Sequence, residues 1–230
     1  MNESDRINNV YNDYLSRKYL SNKWSHLNEG NKFIEFEKFN KIRSLLELHS
    51  FRLEGKEILD VGCAGGHSMG FLKKLGGLEQ NMHGIDIRKN RVRDAKKTYP
   101  TAKFYHMDAR DLEFDDNKFD LVNIFTVFTS IVDFNHRIKV SKELTRVLKP
   151  GGIILYYDFR YHNPFNNNVV GLGKKDIDKF FPRMEKKIHS ITLFPPLARR
   201  LGKYTKNFYS FLSKFKILRT HYVGFIIKGR

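Results

Sequence analysis

From Glu57 onward the chain reads as an apolar strand, Glu57-Ile58-Leu59-Asp60-Val61, running into the glycine-rich turn Gly62-Cys63-Ala64-Gly65-Gly66-His67. Met69, Phe71, Leu72 and Leu75 follow as the apolar residues of a helix. Gly62 and Gly66 allow a tight bend with no side chain in the way, so a ligand can lie against bare peptide N–H groups at a helix N-terminus. Twenty residues beyond Gly66, His83-Gly84-Ile85-Asp86-Ile87 forms a second short strand whose carboxylate could accept hydrogen bonds from both hydroxyls of a ribose. Strand, glycine turn, helix and acid-ended strand together predict an α/β chain with a nucleotide-type cofactor on the carboxyl ends of a parallel sheet.

Two cofactor classes compete for that pair of elements, a nicotinamide dinucleotide and S-adenosylmethionine. A dinucleotide turn wants G-x-G-x-x-G so that pyrophosphate can approach. Here the turn is G-x-A-x-G, with Ala64 in the middle and Asp60 just before it. An acid beside the turn repels pyrophosphate and suits a cationic sulfonium ligand bearing an amino group. Singly, Asp60 and Asp86 read as strand ends and Asp108 as a turn cap; their shared spacing favours the site. His67 reads as a helix-start residue, and Cys63 as a small packing group.

Further motifs follow in order: Phe104-Tyr105-His106-Met107-Asp108-Ala109, then Phe119-Asp120-Leu121-Val122-Asn123-Ile124-Phe125, then Leu144-Thr145-Arg146-Val147-Leu148-Lys149-Pro150-Gly151-Gly152. With the first two, they make the stretch 57–152 resemble the class I S-adenosylmethionine-dependent methyltransferases, from which it departs at Ala64, where that family often has glycine. The resemblance implies a doubly wound Rossmann-like sheet of about seven strands, with the last edge strands antiparallel. It also implies S-adenosylmethionine as cofactor, contacted by Asp60, Gly62, Ala64, Gly66, Asp86, Ile87, Asp108, Ala109, Ile124 and Phe125. Asp108 would meet the adenine amino group, and Ala109 would offer its N–H to the ring.

Strand patterns recur at 57–61, 83–87, 102–106, 121–125 and 153–159, alternating with helical or loop segments such as 91–98 and 138–148, as a parallel sheet requires. Residues 32–48 read as an amphipathic helix through Phe36, Phe39, Ile42, Leu45 and Leu46, after a polar, Tyr-rich lead over 9–24. A helix is expected over 174–181 and strands over 188–194 and 221–228. The expected organisation is an N-terminal helical cap, 1–50, and a methyltransferase-like domain, 51–230, carrying a helical insertion, 195–219, between its last two strands.

Charge is uneven. The chain carries a net +17, yet residues 151–230 hold sixteen Lys and Arg against four Asp and Glu. The insertion contributes Arg199, Arg200, Lys203, Lys206, Lys214, Lys216 and Arg219 and no acid. Phe208, Phe211, Leu212 and Phe215 fall on one face of it, a stripe expected to dock on its own domain, with an anionic membrane surface as the alternative. One cysteine, an N-terminus without an apolar run and no long apolar stretch predict a cytoplasmic protein, with peripheral contact at the inner membrane face as an option.

Nucleic acid is the other partner such a charge suggests, and the motifs argue against it. No Asn/Asp-Pro-Pro-aromatic run follows the fourth strand, where base-amino methyltransferases carry one, and the single cysteine sits in the turn rather than beside an acceptor. No compact Asp/Glu/His spacing marks a metal site. Acceptor contacts are expected from the polar run leaving the fifth strand: Asp158, Arg160, Tyr161 and His162, with His162 as a base and Arg160 as a clamp for phosphate or carboxylate. The run over 157–166 and the later Leu193-Phe194-Pro195-Pro196-Leu197-Ala198-Arg199-Arg200 resemble segments of bacterial methyltransferases of surface polysaccharide and glycolipid synthesis, which implies an anionic or lipid-linked glycan acceptor. Arg146-Val147-Leu148-Lys149-Pro150-Gly151-Gly152 also resembles the branch acting on quinone precursors, and a cofactor-binding protein without turnover is the non-enzyme alternative.

Overall fold

A computed structural model describes residues 3–16, 25, 27–163, 166 and 168–229. Part of the expected Tyr-rich lead, residues 17–24, lies outside the described residues. Seven strands form one sheet: β1 (Ile58–Val61), β2 (Met82–Asp86), β3 (Lys103–His106), β4 (Phe119–Phe125), β5 (Leu148–Phe159), β6 (Glu185–Leu193) and β7 (Arg219–Ile227). Their order is β3-β2-β1-β4-β5-β7-β6. The first five run parallel, while β7 pairs antiparallel with both β5 and β6.

Helices cover both faces, so the central strands are mostly apolar, and β1 and β2 are buried along their whole length. The two-residue period of a strand sorts neighbours to opposite faces. Leu59, Val122, Ile154 and Tyr156 join α5 (Phe134–Val147) and α6 (Lys174–Phe180) in one core. Ile58, Leu121, Ile153 and Leu155 join α2 (Glu29–Leu48), α3 (His67–Lys74) and α4 (Lys89–Thr98) in the other. Local chemistry sets the helix starts: the side chains of Asn28 and Asp133 accept from the N–H groups of Asn31 and His136, at 3.2 and 2.8 Å, and so cap α2 and α5.

Two differences from the sequence reading bear on function. Residues Glu3–Ser16 form a helix, α1, that runs into what reads as a polar, Tyr-rich lead over 9–24 within the expected N-terminal helical cap. The insertion does fold as helices, α7 (Pro195–Arg200) and α8 (Thr205–Leu212), but of the expected stripe only Leu212 packs against the domain. Ala198 and Tyr209 pack with Ile34 of α2 and Leu193 of β6, whereas Phe208, Phe211 and Phe215 stay exposed. Contact is close because α2 has Gly30 at the crossing, where a Cβ would lie 2.2 Å from the Ala198 carbonyl oxygen.

Candidate cofactor site

The turn after β1 is built from backbone hydrogen bonds and unusual torsions. Cys63 N–H donates to the Ile85 carbonyl at 2.9 Å, and Gly66 N–H to the Cys63 carbonyl at 2.8 Å. Gly62 and Gly66 take φ of 69° and 87°, and Ala64 takes 47°. Ala64 thus occupies the left-handed region that glycine enters without penalty, which accounts for the family's frequent glycine there. Its N–H donates to Asp86 Oδ2 at 2.9 Å, joining the turn to the end of β2. The other Asp86 oxygen accepts from Arg88 N–H at 2.8 Å and Arg88 Nε at 3.3 Å.

A cavity of about 300 Å³ opens here, at the low end of the range of small-molecule sites. Gly62, Ala64, Asp86, Ile87, Asp108, Ala109 and Phe125 of the expected cofactor residues line it. Asp60, Gly66 and Ile124 do not, and each has another task. Asp60 is buried at the end of β1, accepting from Ser68 Oγ of α3 and from Asn123 Nδ2 of β4 at 2.7 Å. Burial raises its pKa to about 6 against those two hydrogen bonds, which tie β1 to α3 and β4 behind the turn. Gly66 starts α3 and is pressed by the Tyr99 ring, 2.7 Å from where its Cβ would be, and Ile124 belongs to the core.

Several lining residues carried no sequence signal strong enough to single them out. Arg110 grips Asp108, with Nη2 2.6 Å from Oδ2 and Nε 3.0 Å from each oxygen, which fixes the carboxylate's orientation. The pair Asp108 and Arg110 repeats the spacing of Asp86 and Arg88, two aspartates each followed two residues later by an arginine that folds back on it. Thr126 lines the cavity at φ 55°, a conformation that costs a β-branched residue about 1–3 kcal/mol and that concentrates at functional sites. From α1 come Ile7 and Tyr11: the Tyr11 ring lies 4.2 Å from the Arg88 guanidinium carbon, its hydroxyl 3.3 Å from Ser130 Oγ, and Arg6 donates to the Ser130 carbonyl. Helical spacing of Ile7, Val10 and Tyr11 was the available sign that this stretch packs on something.

The expected acceptor residues lie elsewhere. None of Asp158, Arg160, Tyr161 and His162 lines the cavity. Asp158 is buried, accepting from the N–H and hydroxyl of Thr129 and from Phe159 N–H, so it ties the turn beside the cavity to β5. Burial raises its pKa to about 6 against those hydrogen bonds. Arg160 donates to the Lys216 carbonyl at 3.3 Å and lies over the rings of Tyr161 and Tyr222, which joins the loop to the insertion. Tyr161 and His162 are exposed. Of the Asn163-Pro164-Phe165-Asn166-Asn167 stretch, Pro164, Phe165 and Asn167 lie outside the described residues. Among the described residues no group of three or more His, Cys, Asp or Glu is arranged to hold a metal.

Comparison with known proteins addresses what such a site belongs to. The profile of a family described as a methyltransferase domain matches residues 58–152, from β1 to the start of β5. This stretch is similar to a methyltransferase domain. The chain is 32% identical over 139 residues to a demethylmenaquinone methyltransferase of Staphylococcus aureus, a match spanning 59% of this chain and only 55% of that relative. Among solved structures, a protein of Pyrococcus horikoshii superposes with a TM-score of 0.65 at 16% identity, over 94% of this chain and 98% of that one. An S-adenosylmethionine-dependent methyltransferase of Methanosarcina mazei does so with a TM-score of 0.57 at 21% identity, over 80% and 97%. The chain therefore has the class I fold expected of it, including the antiparallel edge.

Proposed function

We propose that the protein transfers a methyl group from S-adenosylmethionine to a small acceptor of the quinone-precursor type. The observation that carries the reading is the cavity that joins the 62–66 turn to Asp86 and Asp108. Its chemistry fits the cofactor. Asp86 is positioned for ribose hydroxyls and Asp108 for the adenine amino group, while Ile87, Met107, Phe125 and Ile131 offer apolar contact to a ring. Arg88 and Arg110 are turned onto carboxylates of the site itself, so the charge that pyrophosphate would need is already engaged.

Bound there, S-adenosylmethionine supplies an electrophilic methyl group on sulfur. The chain's part is to hold two reactants in line and to keep water out. Alignment of this kind is worth about 7–11 kcal/mol, whereas a general base adds about 10²–10⁴-fold. Positioning therefore dominates, consistent with a lining whose two carboxylates are both committed to hydrogen bonds. Tyr11 and Ser130 place hydroxyls on the α1 side of the cavity, where an acceptor could be oriented.

The quinone-type acceptor is supported by the apolar lining and by what the S. aureus relative is named for. A glycan or glycan-linked phosphate is the second reading, and the charge of residues 151–230 is what favours it. Incubating the chain with S-adenosylmethionine and either demethylated quinones or anionic glycans, and measuring S-adenosylhomocysteine, separates these. Product with quinones alone is the expected result; product with glycans alone moves the acceptor, and no product with either leaves a binding protein. As a control, Asp86→Ala should abolish the heat of S-adenosylmethionine binding in calorimetry, and unchanged binding would remove Asp86 from the site.

A further inference from the structure

Exposed apolar side chains concentrate on the insertion. Phe208, Phe211, Phe215 and Ile217 are 48%, 55%, 49% and 78% exposed, and Tyr204 stands beside Phe208. They are exposed because the helix docks by its other face, through Thr205 and Tyr209, so the aromatic stripe is left over once the domain's own packing is satisfied. Arg200, Lys203, Lys206, Lys214 and Lys216 are exposed around it, and no acid occurs in 195–219. Aromatic rings set among flexible cations match the headgroup zone of a bilayer, where rings enter the acyl boundary and ammonium groups stay with phosphates.

The topology also aims this face. Strand β7 runs against β5 and β6, so the excursion from Leu193 to Arg219 leaves and rejoins the sheet at the end where β1 and β4 stop and the cavity opens. Phe194 N–H donates to the Leu218 carbonyl at 2.8 Å, and Arg160 N–H to the Thr220 carbonyl at 2.9 Å, which fixes the base of the excursion to that end. We propose that the insertion is a membrane-docking surface that seats this end of the protein on a bilayer rich in anionic lipid. The charge selects the lipid: an acid-free surface of this kind gains from a negative leaflet and little from a neutral one. The docking stands apart from the methyl-transfer reading, since it needs neither cofactor nor acceptor.

Flotation of the full chain with vesicles tests it, comparing phosphatidylcholine alone with phosphatidylcholine containing phosphatidylglycerol. The chain should float with the mixed vesicles, less so at high salt, and stay behind with the neutral ones. Phe208→Ser with Phe211→Ser should lower that partitioning about tenfold or more with the melting temperature and S-adenosylmethionine binding unchanged. Leu78→Ser, an exposed residue before β2 at the opposite end of the sheet, should leave it unchanged. The proposal is overturned if the chain does not float, floats equally with neutral vesicles, or floats undiminished in the double variant. It is equally overturned if RNA displaces the vesicles through the same residues, or if light scattering shows a dimer that the double variant loses.

Discussion

Asp86, Asp108, Asp60 and Asp158 are similar in sequence and different in work. Each ends or follows a strand at the carboxyl edge of the sheet, and nothing in the local sequence tells a carboxylate facing a cavity from one sealed behind it. Burial decides, and it leaves a measurable sign. Asp60 and Asp158 have folded-state pKa values of about 6 against an ordinary 3.8, so the folded state holds protons the unfolded chain has released between those values. Their contribution to stability is therefore fully present below the ordinary value and is lost as pH rises through about 6. Asp158→Asn, which cannot titrate, should gain stability relative to the native chain as pH rises from about 4 to about 7 in denaturant titrations. A constant difference would place Asp158 in water. Asp158→Ala leaves the Thr129 and Phe159 N–H groups without their acceptor and should cost about 1–3 kcal/mol.

Among the elements, the strands of the parallel sheet were legible because burial on both faces makes them mostly apolar, and the helices because their apolar period differs. The ends were less so: β6 begins at Glu185, ahead of the expected 188, since its early residues pair at an edge and carry mixed polarity. The bounds of helix α1 within the expected helical cap were not legible for a related reason. Its polar composition reads as a lead, and what marks it as structure is the fit of Tyr11 and Ile7 over the cavity. Tyr11→Ala should weaken S-adenosylmethionine binding about tenfold, by opening that side of the cavity and freeing the Arg88 guanidinium, with little change in melting temperature. Calorimetry beside a thermal melt would check both. At the other side of α2, Gly30→Ala ought by helix propensity to stabilise by up to about 1 kcal/mol. The Ala198 carbonyl reverses the sign, and a loss of about 1–3 kcal/mol is expected. Early proteolysis at 195–219 in that variant would locate the damage.

For the whole molecule, the candidate cofactor cavity lies at the carboxyl end of the parallel strands, and a ligand that binds there only in the folded state must stabilise the fold. S-adenosylmethionine at about a hundred times its dissociation constant should add about 2.7 kcal/mol, visible as a raised melting temperature, while NADH should add none. A shift with NADH alone would overturn the cofactor assignment. What the sequence determined by itself is the alternation of strands and helices that makes a parallel sheet, and the glycine turn after β1, because these rest on local periodicity and on backbone torsions that few residues tolerate. Only the tertiary structure decided that Asp158 and Arg160 are tied to Thr129 and to the insertion, that α1 walls the cavity, and that the insertion turns Phe208, Phe211 and Phe215 outward. Those outcomes depend on which surfaces remain once distant segments have packed, and a residue's neighbours in space are not written in its neighbours along the chain.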